Sequence, residues 1–385
     1  MSNEAAKEKV AQVFNQVADA LETGEFGEQT KVGITTIGSE HGVEEVVKGA
    51  EMADQNHQDL EVKLIGPEVD TELELIYETD CEEEVHDKME ELLQAGEIDA
   101  CVTNHFNFPI GVSTVGRVVT PGQGQEMLVA TSTGTSTTSR IPAMIRNAVY
   151  GIIASKALGN ENPSVGILNV DGARQVEQAL KDLKANGYEI NFAESVRSDG
   201  GCVMRGNDLL TASADVMVTD TLTGNLLMKL FSAYTTGGSY EALGYGYGPG
   251  VGEEYDQIVN IISRASGAPV IAGAIRYAAD AAQGQIMKVA AKEMEAVKDA
   301  GLEEIIEEIE SSQSDSVGDV TAPPEKTVDE EISGIDILVL DDAVETLWAE
   351  DIYAESGMGC TGPVVMVAEE DAEEAEEILA ENDYI

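Results

Sequence analysis

Lys31-Val32-Gly33-Ile34-Thr35-Thr36-Ile37-Gly38 opens the regular pattern of this chain, and Ser39-Glu40-His41-Gly42 leads from it into a helical run that begins at Val43. The first eight residues read as a short apolar strand, so the pair is one βα step. The step recurs. Leu60 to Ile65 is the next strand, Val85 to Leu93 a helix, and Ala100-Cys101-Val102 a strand entering the loop Thr103-Asn104-His105-Phe106-Asn107-Phe108-Pro109. Met127-Leu128-Val129-Ala130 is followed by Thr131-Ser132-Thr133-Gly134-Thr135-Ser136-Thr137-Thr138-Ser139-Arg140 and a helix through Leu158. Apolar strands without charges, separated by helices, predict an α/β protein with a mainly parallel sheet covered on both faces.

The second half continues the rhythm. Strands are predicted at Ser164–Val170, Ile190–Ala193 and Asp215–Asp220, the last ending at Thr221-Leu222-Thr223-Gly224-Asn225 before a helix through Leu230, and an amphipathic helix over Ala173–Ala185. After Met294 the texture changes to a strongly acidic helix reaching about Glu310, then a linker rich in Ser, Asp, Pro and Gly up to Pro324. A small βαβα-like unit follows: Ile335–Leu340, Ala343–Ala349, Val364–Val367 and a last acidic helix over Ala372–Glu381. The organisation read from this is an N-terminal helical segment over 1–30, an α/β/α domain over 31–294, an acidic helix and linker over 295–324, and a small C-terminal α/β unit over 325–385.

With 385 residues the chain can bury a substantial core. Its 73 acidic against 22 basic residues give a formal charge of −51, which argues against nucleic acid or an anionic membrane as partner. Such a charge fits a high-salt cytoplasm, where screening makes it tolerable. Met1 to Leu21 reads as an amphipathic polar helix rather than a signal peptide, and no run is long enough to cross a bilayer. The four cysteines, Cys81, Cys101, Cys202 and Cys360, lack CxxC spacing. Neither a zinc site nor a disulfide framework is indicated, and a reduced, cytoplasmic setting is expected. The four histidines are scattered, so no metal is expected.

In a doubly covered parallel sheet, ligands gather beyond the carboxyl ends of the strands. The Thr/Ser run there, with Thr135, Ser136 and Arg140, offers the hydroxyls, N–H groups and guanidinium that a phosphate needs, although it is equally a polar loop with a helix cap. Arg276 is a further candidate for ligand charge, with a carboxylate partner as the alternative. His105 follows a strand, where an acid–base residue is useful, but its aromatic neighbours also fit a packing role. Cys81 lies among Asp80, Glu82, Glu83 and Glu84, which raise a thiol pKa. Cys101 fits a buried strand, and Cys202 follows Gly200-Gly201. Cys360 stands in Gly357-Met358-Gly359-Cys360-Thr361-Gly362-Pro363, a glycine-rich turn that leaves a thiol less covered. It is the first candidate for a nucleophile or acyl carrier, against the alternative of a small residue in a tight turn.

The body of the chain resembles the PlsX family of phosphate acyltransferases over roughly residues 30–290. The resemblance rests on Gly33-Ile34 with Gly38-Ser39-Glu40-His41-Gly42, on Val165–Val170, on Gly206-Asn207-Asp208-Leu209-Leu210, on Gly267-Ala268-Pro269-Val270, and above all on Asp215-Val216-Met217-Val218-Thr219-Asp220-Thr221-Leu222-Thr223-Gly224-Asn225-Leu226-Leu227-Met228-Lys229. It implies a three-layer α/β/α fold and exchange of acyl groups between thioester and phosphate, with phosphate as substrate and no further cofactor. It also makes Asn225, Gly224 and Thr223 candidates for phosphate or oxyanion binding. The chain departs from the family at Thr103–Pro109, where a glycine-rich loop is usual, at Arg205, and in its acidic extension.

Those departures resemble the alpha subunits of protein C from glycine/sarcosine/betaine reductase complexes, over essentially the whole chain. This closer resemblance implies an acetyl thioester on Cys360. The acyl unit originates as a carboxymethyl group on the selenocysteine of selenoprotein A, and phosphate then releases it as acetyl phosphate. It also implies a thiolase-like beta subunit as partner, and leaves a homodimer open. Cys360 stands 135 residues after Asn225, so it has to fold back over the cleft or swing across the Ser311–Pro324 linker. Two other readings remain: a scaffold for the beta subunit without catalysis, and a diverged acyltransferase of phospholipid synthesis.

Overall fold

The computed structural model describes residues 29–385 except Gln123, Asp199, 317–321, Glu325, 336–339, Cys360, Thr361 and Asp383. The expected N-terminal helix and Cys360 therefore lie outside the described residues, as do parts of the expected linker and of the Ile335–Leu340 strand. The chain forms two compact units, the first ending at Ile305 and the second running from Ile306 to Ile385.

In the first unit the elements run β1 (Thr30–Thr35), α1 (Val43–Asn56), β2 (Leu60–Gly66), β3 (Glu74–Glu78), α2 (Glu82–Ala95), β4 (Ala100–Thr103), β5 (Val112–Val119), β6 (Glu126–Thr135) and α3 (Arg140–Ala157). They continue with β7 (Ser164–Leu168), α4 (Ala173–Ala185), β8 (Asn191–Phe192), β9 (Val203–Met204), α5 (Gly206–Thr211), β10 (Val216–Val218) and α6 (Thr221–Ala233). A 3-10 turn (Tyr234–Thr236), β11 (Gly248–Val251), β12 (Val259–Ile261), α7 (Ala268–Gln283) and α8 (Ile286–Asp299) follow, and α9 (Leu302–Ser316) contains the boundary. The acidic helix expected after Met294 is thus two helices, divided at Gly301, whose φ of +87° suits glycine.

The sheet order is β3-β2-β1-β4-β12-β11-β5-β6-β10-β7-β8, with β9 also on β7. It is mixed. β3, β2, β1, β4 and β12 are mutually parallel, and so are β6, β10, β7, β8 and β9. Antiparallel pairs β12–β11, β11–β5 and β5–β6 join the two sets, which consequently run in opposite directions. The central strands are apolar and buried throughout, as in Ile34, Val102, Val129, Val165 and Met217, which is what coverage of both faces requires. Glycines allow the closest contacts: a Cβ on Gly116 would stand 2.4 Å from Met228 Sδ, so a side chain there would push the end of Met228 aside where α6 lies on β5.

The second unit holds β13 (Glu330–Ser333), α10 (Leu340–Ala349), β14 (Ala354–Gly359), β15 (Gly362–Val367) and α11 (Ala372–Glu381). Its sheet is antiparallel, in the order β13-β15-β14. Most of the expected Ile335–Leu340 strand lies outside the described residues, and Leu340 opens α10. β13 and β14 were not expected, β14 because its Ser and Gly residues carry little strand signal. Among the described residues the unit therefore reads βαββα rather than the expected βαβα. Ile332, Leu347, Val365, Val367 and Leu379 form its own core, and the Trp348 indole donates to the Ala354 carbonyl at 2.9 Å.

One buried carboxylate pins the segment after β9. Asp208 accepts from the N–H groups of Arg205 and Val196, each at 2.8 Å, and from the Ser195 hydroxyl at 3.0 Å. Burial by itself raises its pKa, but these donors together hold it below the ordinary carboxylate value. A lowered folded-state pKa adds stability that is complete above the unfolded carboxylate pKa and disappears as pH falls through the folded value. Asp208→Asn is expected to cost about 1–3 kcal/mol at neutral pH, with the gap to wild type closing below about pH 4. Denaturant unfolding across that range measures it.

Candidate functional site

Where the strand direction reverses, the sheet carries a cleft of about 190 Å³ lined by Thr133, Asn225, Lys229, Tyr247, Ile261, Ile262 and Ser263. It is built from α6, from the carboxyl end of β12, and from a bulge in β6. Val115 pairs with Ala130 but Thr114 pairs with Thr133, so Thr131 and Ser132 are additional residues on β6. The bulge re-aims Ser132. Its hydroxyl reaches the Tyr247 carbonyl at 2.7 Å, and its carbonyl accepts from Asn225 Nδ2 at 3.2 Å.

Lys229 lies one helical turn beyond Asn225 and is held in three ways. Its Nζ contacts Glu241 Oε1 at 2.6 Å, donates to the Ser263 hydroxyl, and sits 5.8 Å from the centre of the Tyr247 ring. Glu241 is buried and also accepts from Ser266 Oγ at 3.1 Å, whereas 45% of the Lys229 side chain stays exposed. The result is a fixed ammonium with one face open, beside a hydroxyl and an amide. The Tyr247 hydroxyl is buried with no hydrogen-bond partner among the described residues, and burial pushes its pKa up, so it is a neutral donor. Arg264 adds a second cation next to Ser263, with NH2 3.7 Å from Glu82. Such a set can hold an oxyanion.

The residues singled out from sequence are distributed differently. Asn225 is in the cleft. Gly224 is beside it for packing: a Cβ there would stand 1.8 Å from the Thr131 carbonyl oxygen. Thr223 is bound to the helix N-cap, its N–H and hydroxyl both on the Asp220 carboxylate at 3.0 and 2.6 Å. Thr131–Thr135 is part of strand β6 rather than a loop, with Thr135 exposed at its end. Ser136 is buried on Asn147 at 2.9 Å, and Arg140 pairs with Asp171 at 2.7 Å on the surface. Arg276 is bound by Asp59, Asp280 and Gln283 near the start of β2, the edge opposite the strand's carboxyl end. His105 is exposed, and its carbonyl accepts from Thr103 Oγ1 at 3.3 Å.

A larger cavity of about 540 Å³ includes Ser136, Thr137, Arg146 and Tyr150. It suits an anion poorly, since Glu253 and Glu254 line it and Arg146 is held by Glu303 at 2.7 Å. The buried thiols are also poor nucleophiles. Burial drives the Cys101 pKa far up, and burial with the adjacent Glu177 pushes Cys202 up to about 11. Lys229, Glu241, Tyr247, Ser263 and Arg264 were not among the residues singled out. For Lys229 a signal existed: a scarce cation four residues after Asn225, hence on the same side of a helix.

A family model described as fatty acid synthesis protein matches residues 30–366. The chain is 59% identical over 375 residues, 97% of either sequence, to the glycine/sarcosine/betaine reductase complex component C subunit alpha of Peptoclostridium acidaminophilum. It belongs to this family. It is also 29% identical over 246 residues to a phosphate acyltransferase of Bacillus cereus strain G9842, covering 52% of this chain and 70% of that protein. Among solved structures, 4-hydroxythreonine-4-phosphate dehydrogenase from Klebsiella pneumoniae is similar at a TM-score of 0.42 and 12% identity, over 68% of this chain and 100% of that one. Among the described residues no helix is long and apolar enough to cross a membrane, and no cluster of His, Cys, Asp and Glu could hold a metal ion.

Gly224→Ala is expected to lower unfolding free energy by about 3 kcal/mol or more, because the methyl group and the Thr131 carbonyl cannot share the space. Denaturant unfolding checks this, and an unchanged midpoint would mean that α6 does not pack so closely.

Proposed function

We propose that this chain is the acetyl-transferring alpha subunit of component C in a glycine/sarcosine/betaine reductase complex. The observation that carries the reading is the 59% identity to such a subunit along 97% of both sequences. The partial match to phosphate acyltransferases supports the reaction class, acyl exchange between a thioester and phosphate.

In this reading Cys360 is the acyl carrier. The acetyl unit derives from a carboxymethyl group on the selenocysteine of selenoprotein A by reductive cleavage of the C–Se bond. The two electrons come from the selenol–thiol donor, which is left oxidised, and a thiolase-like beta subunit is the partner in component C. Phosphate then attacks the thioester carbonyl. The new P–O–C bond forms as the C–S bond breaks, and the products are acetyl phosphate and the free Cys360 thiol. Phosphate is a substrate, and the scheme calls on no further cofactor.

The central cleft is the proposed phosphate site. Lys229 supplies charge; the Ser263 hydroxyl and Asn225 supply direction. The Tyr247 ring walls the cleft. For the attack to proceed, the thioester carbon has to come within about 3–3.5 Å of a phosphate oxygen. Reading Cys360 as the carrier is also consistent with the raised pKa values of Cys101 and Cys202.

Intact-mass measurement after incubation with acetyl phosphate, with and without the beta subunit, is the test. A hydroxylamine-labile acetyl adduct is expected on wild type and none on Cys360→Ala. If the folded wild-type protein gains no adduct in either condition, the scaffold or the diverged acyltransferase reading replaces this one. Lys229→Gln should retain the adduct but raise the KM for phosphate by about 10–100-fold, the loss of one charge-assisted contact. An unchanged KM would move the phosphate site elsewhere.

A further inference from the structure

The central cleft has two chemically different ends. Thr133, Asn225, Lys229 and Ser263 stand partly or fully open at its mouth, whereas Tyr247, Ile261 and Ile262 are buried and form its floor. Side chains alternate along a strand, so only one of the two isoleucines can face α6. Asn260 Nδ2 donates to the Ala274 carbonyl of α7, and Ile262 Cγ2 lies with Ala274 against Gly246, which puts both on the α7 side. Ile261 points the other way and clusters with Tyr247 and with Met228 of α6. Ile261 also keeps 7% of its surface open, against none for Ile262.

We propose that Ile261 is the specificity-determining residue of the cleft, and that its side chain sets how long an acyl group can be. The inference rests on the acyl-transfer reading above and adds to it the residue that measures the chain. Orientation is the first argument. The ammonium and hydroxyl that hold an anion are at the mouth, so the apolar end of an acyl phosphate points down to Ile261 and Tyr247. Size is the second. A cavity of about 150 Å³ holds the six carbons of benzene. A cleft of about 190 Å³ therefore holds roughly eight heavy atoms, the number in acetyl phosphate. Rigidity is the third. The Tyr247 N–H donates to the Ile261 carbonyl at 2.8 Å, and the Ser132 hydroxyl binds the Tyr247 carbonyl at 2.7 Å. Strand β12, which ends at Ile261, is paired with β4 on one side and β11 on the other. A β-branched side chain on such a strand has little freedom to turn away.

Each methylene beyond a two-carbon acyl group has to displace this fixed floor or lift the anion away from Lys229. One methylene too many in a closed apolar pocket costs about 10–200-fold in kcat/KM. Shortening the floor residue lengthens the permitted chain in step. Ile261→Val removes one carbon and makes room for a propionyl group, and Ile261→Ala removes three and makes room for a butyryl group.

The test incubates the full chain, together with the beta subunit, with acetyl, propionyl or butyryl phosphate and follows the hydroxylamine-labile adduct by intact mass. In this step the Cys360 thiol takes the acyl group, and inorganic phosphate leaves with the thiol proton. Wild type is expected to react at least about 10-fold faster with acetyl than with butyryl phosphate at equal low concentration. Ile261→Ala is expected to raise the butyryl-to-acetyl ratio by about 10-fold or more. Circular dichroism establishes folding, and should Ile261→Ala misfold, the propionyl-to-acetyl ratio of Ile261→Val carries the test. An unchanged ratio in a folded, acylated variant overturns the assignment of Ile261 and leaves the acyl-transfer reading in place. If wild type takes no acyl group, that reading fails. In that case, or if a folded variant is inert, calorimetric binding of propylphosphonate and pentylphosphonate decides, since these match acetyl and butyryl phosphate in length but have no acyl group to transfer. The assignment then stands if wild type binds the propyl compound about 10-fold more tightly and Ile261→Ala narrows the gap. Equal binding of the two by wild type, no binding, or an unchanged gap overturns it.

Discussion

The antiparallel seam of β11, β5 and β6 is the constraint on which the first unit depends. Two parallel sets of strands running in opposite directions can share a sheet only if antiparallel pairs join them. The seam supplies these pairs and places the change of direction at the centre of the sheet rather than at an edge. Its consequences extend to side chains. The carboxyl end of β12 and the bulged middle of β6 come to one cleft, although more than a hundred residues separate them in sequence. Gly116 and Gly224 let α6 lie close over the seam, and α6 thereby carries Asn225 and Lys229 to that cleft.

Charge is distributed with the same economy of cations. Arg117 bridges Glu126 and Asp280 and stacks 4.1 Å from the centre of the Tyr245 ring, tying the seam to α7. Arg276 joins α7 to Asp59, and Lys156 joins α3 to the buried Glu293 of α8. These pairs link elements distant in sequence, where losing one partner would leave a charge uncompensated. Lys229 differs from them. Its partner Glu241 is buried, but 45% of the Lys229 side chain is exposed, so it is anchored without being closed off.

The buried strands were legible because a strand covered on both faces has to be apolar along its length, as Val165–Leu168 and Val216–Val218 are. Helix α6 was expected only beyond Asn225; it begins a turn earlier because the Asp220 carboxylate caps it. Some of the strands that escaped notice take their stability from neighbours rather than from their own residues, although β5, rich in valine, carried a strand signal of its own. Gly248-Pro249-Gly250-Val251 has little strand propensity, yet it is β11, placed between β12 and β5. Glu74–Glu78 is an edge strand with a charged residue at each end, the usual way to blunt an edge. The hydroxyl-rich Thr131–Thr135 resembles a ligand loop in composition. Its Thr131 and Ser132 side chains instead bond inward, to Thr114 and Tyr247, inside a bulge that only the pairing of β5 with β6 creates. Of the site, Asn225 was found through its motif. Glu241 and Ser263 meet Lys229 through tertiary contacts that no local spacing encodes.

A strongly acidic protein that is to use a dianionic substrate faces an evident electrostatic objection, and distance answers it. At high ionic strength the screening length falls to about 3 Å, so exposed carboxylates beyond the first neighbours contribute little to the potential in the cleft. What counts is the balance within direct contact. Lys229 and Glu241 cancel as a pair, but Glu241 is buried behind the ammonium with its second oxygen on Ser266, so an anion entering the cleft meets the cation and the Ser263 hydroxyl first. A dipole does the remainder of the work in the proposed reaction: the Asn225 amide is neutral and needs no counterion of its own. In that arrangement Glu241 has a definite part. It holds the Lys229 ammonium in place beside the Ser263 hydroxyl.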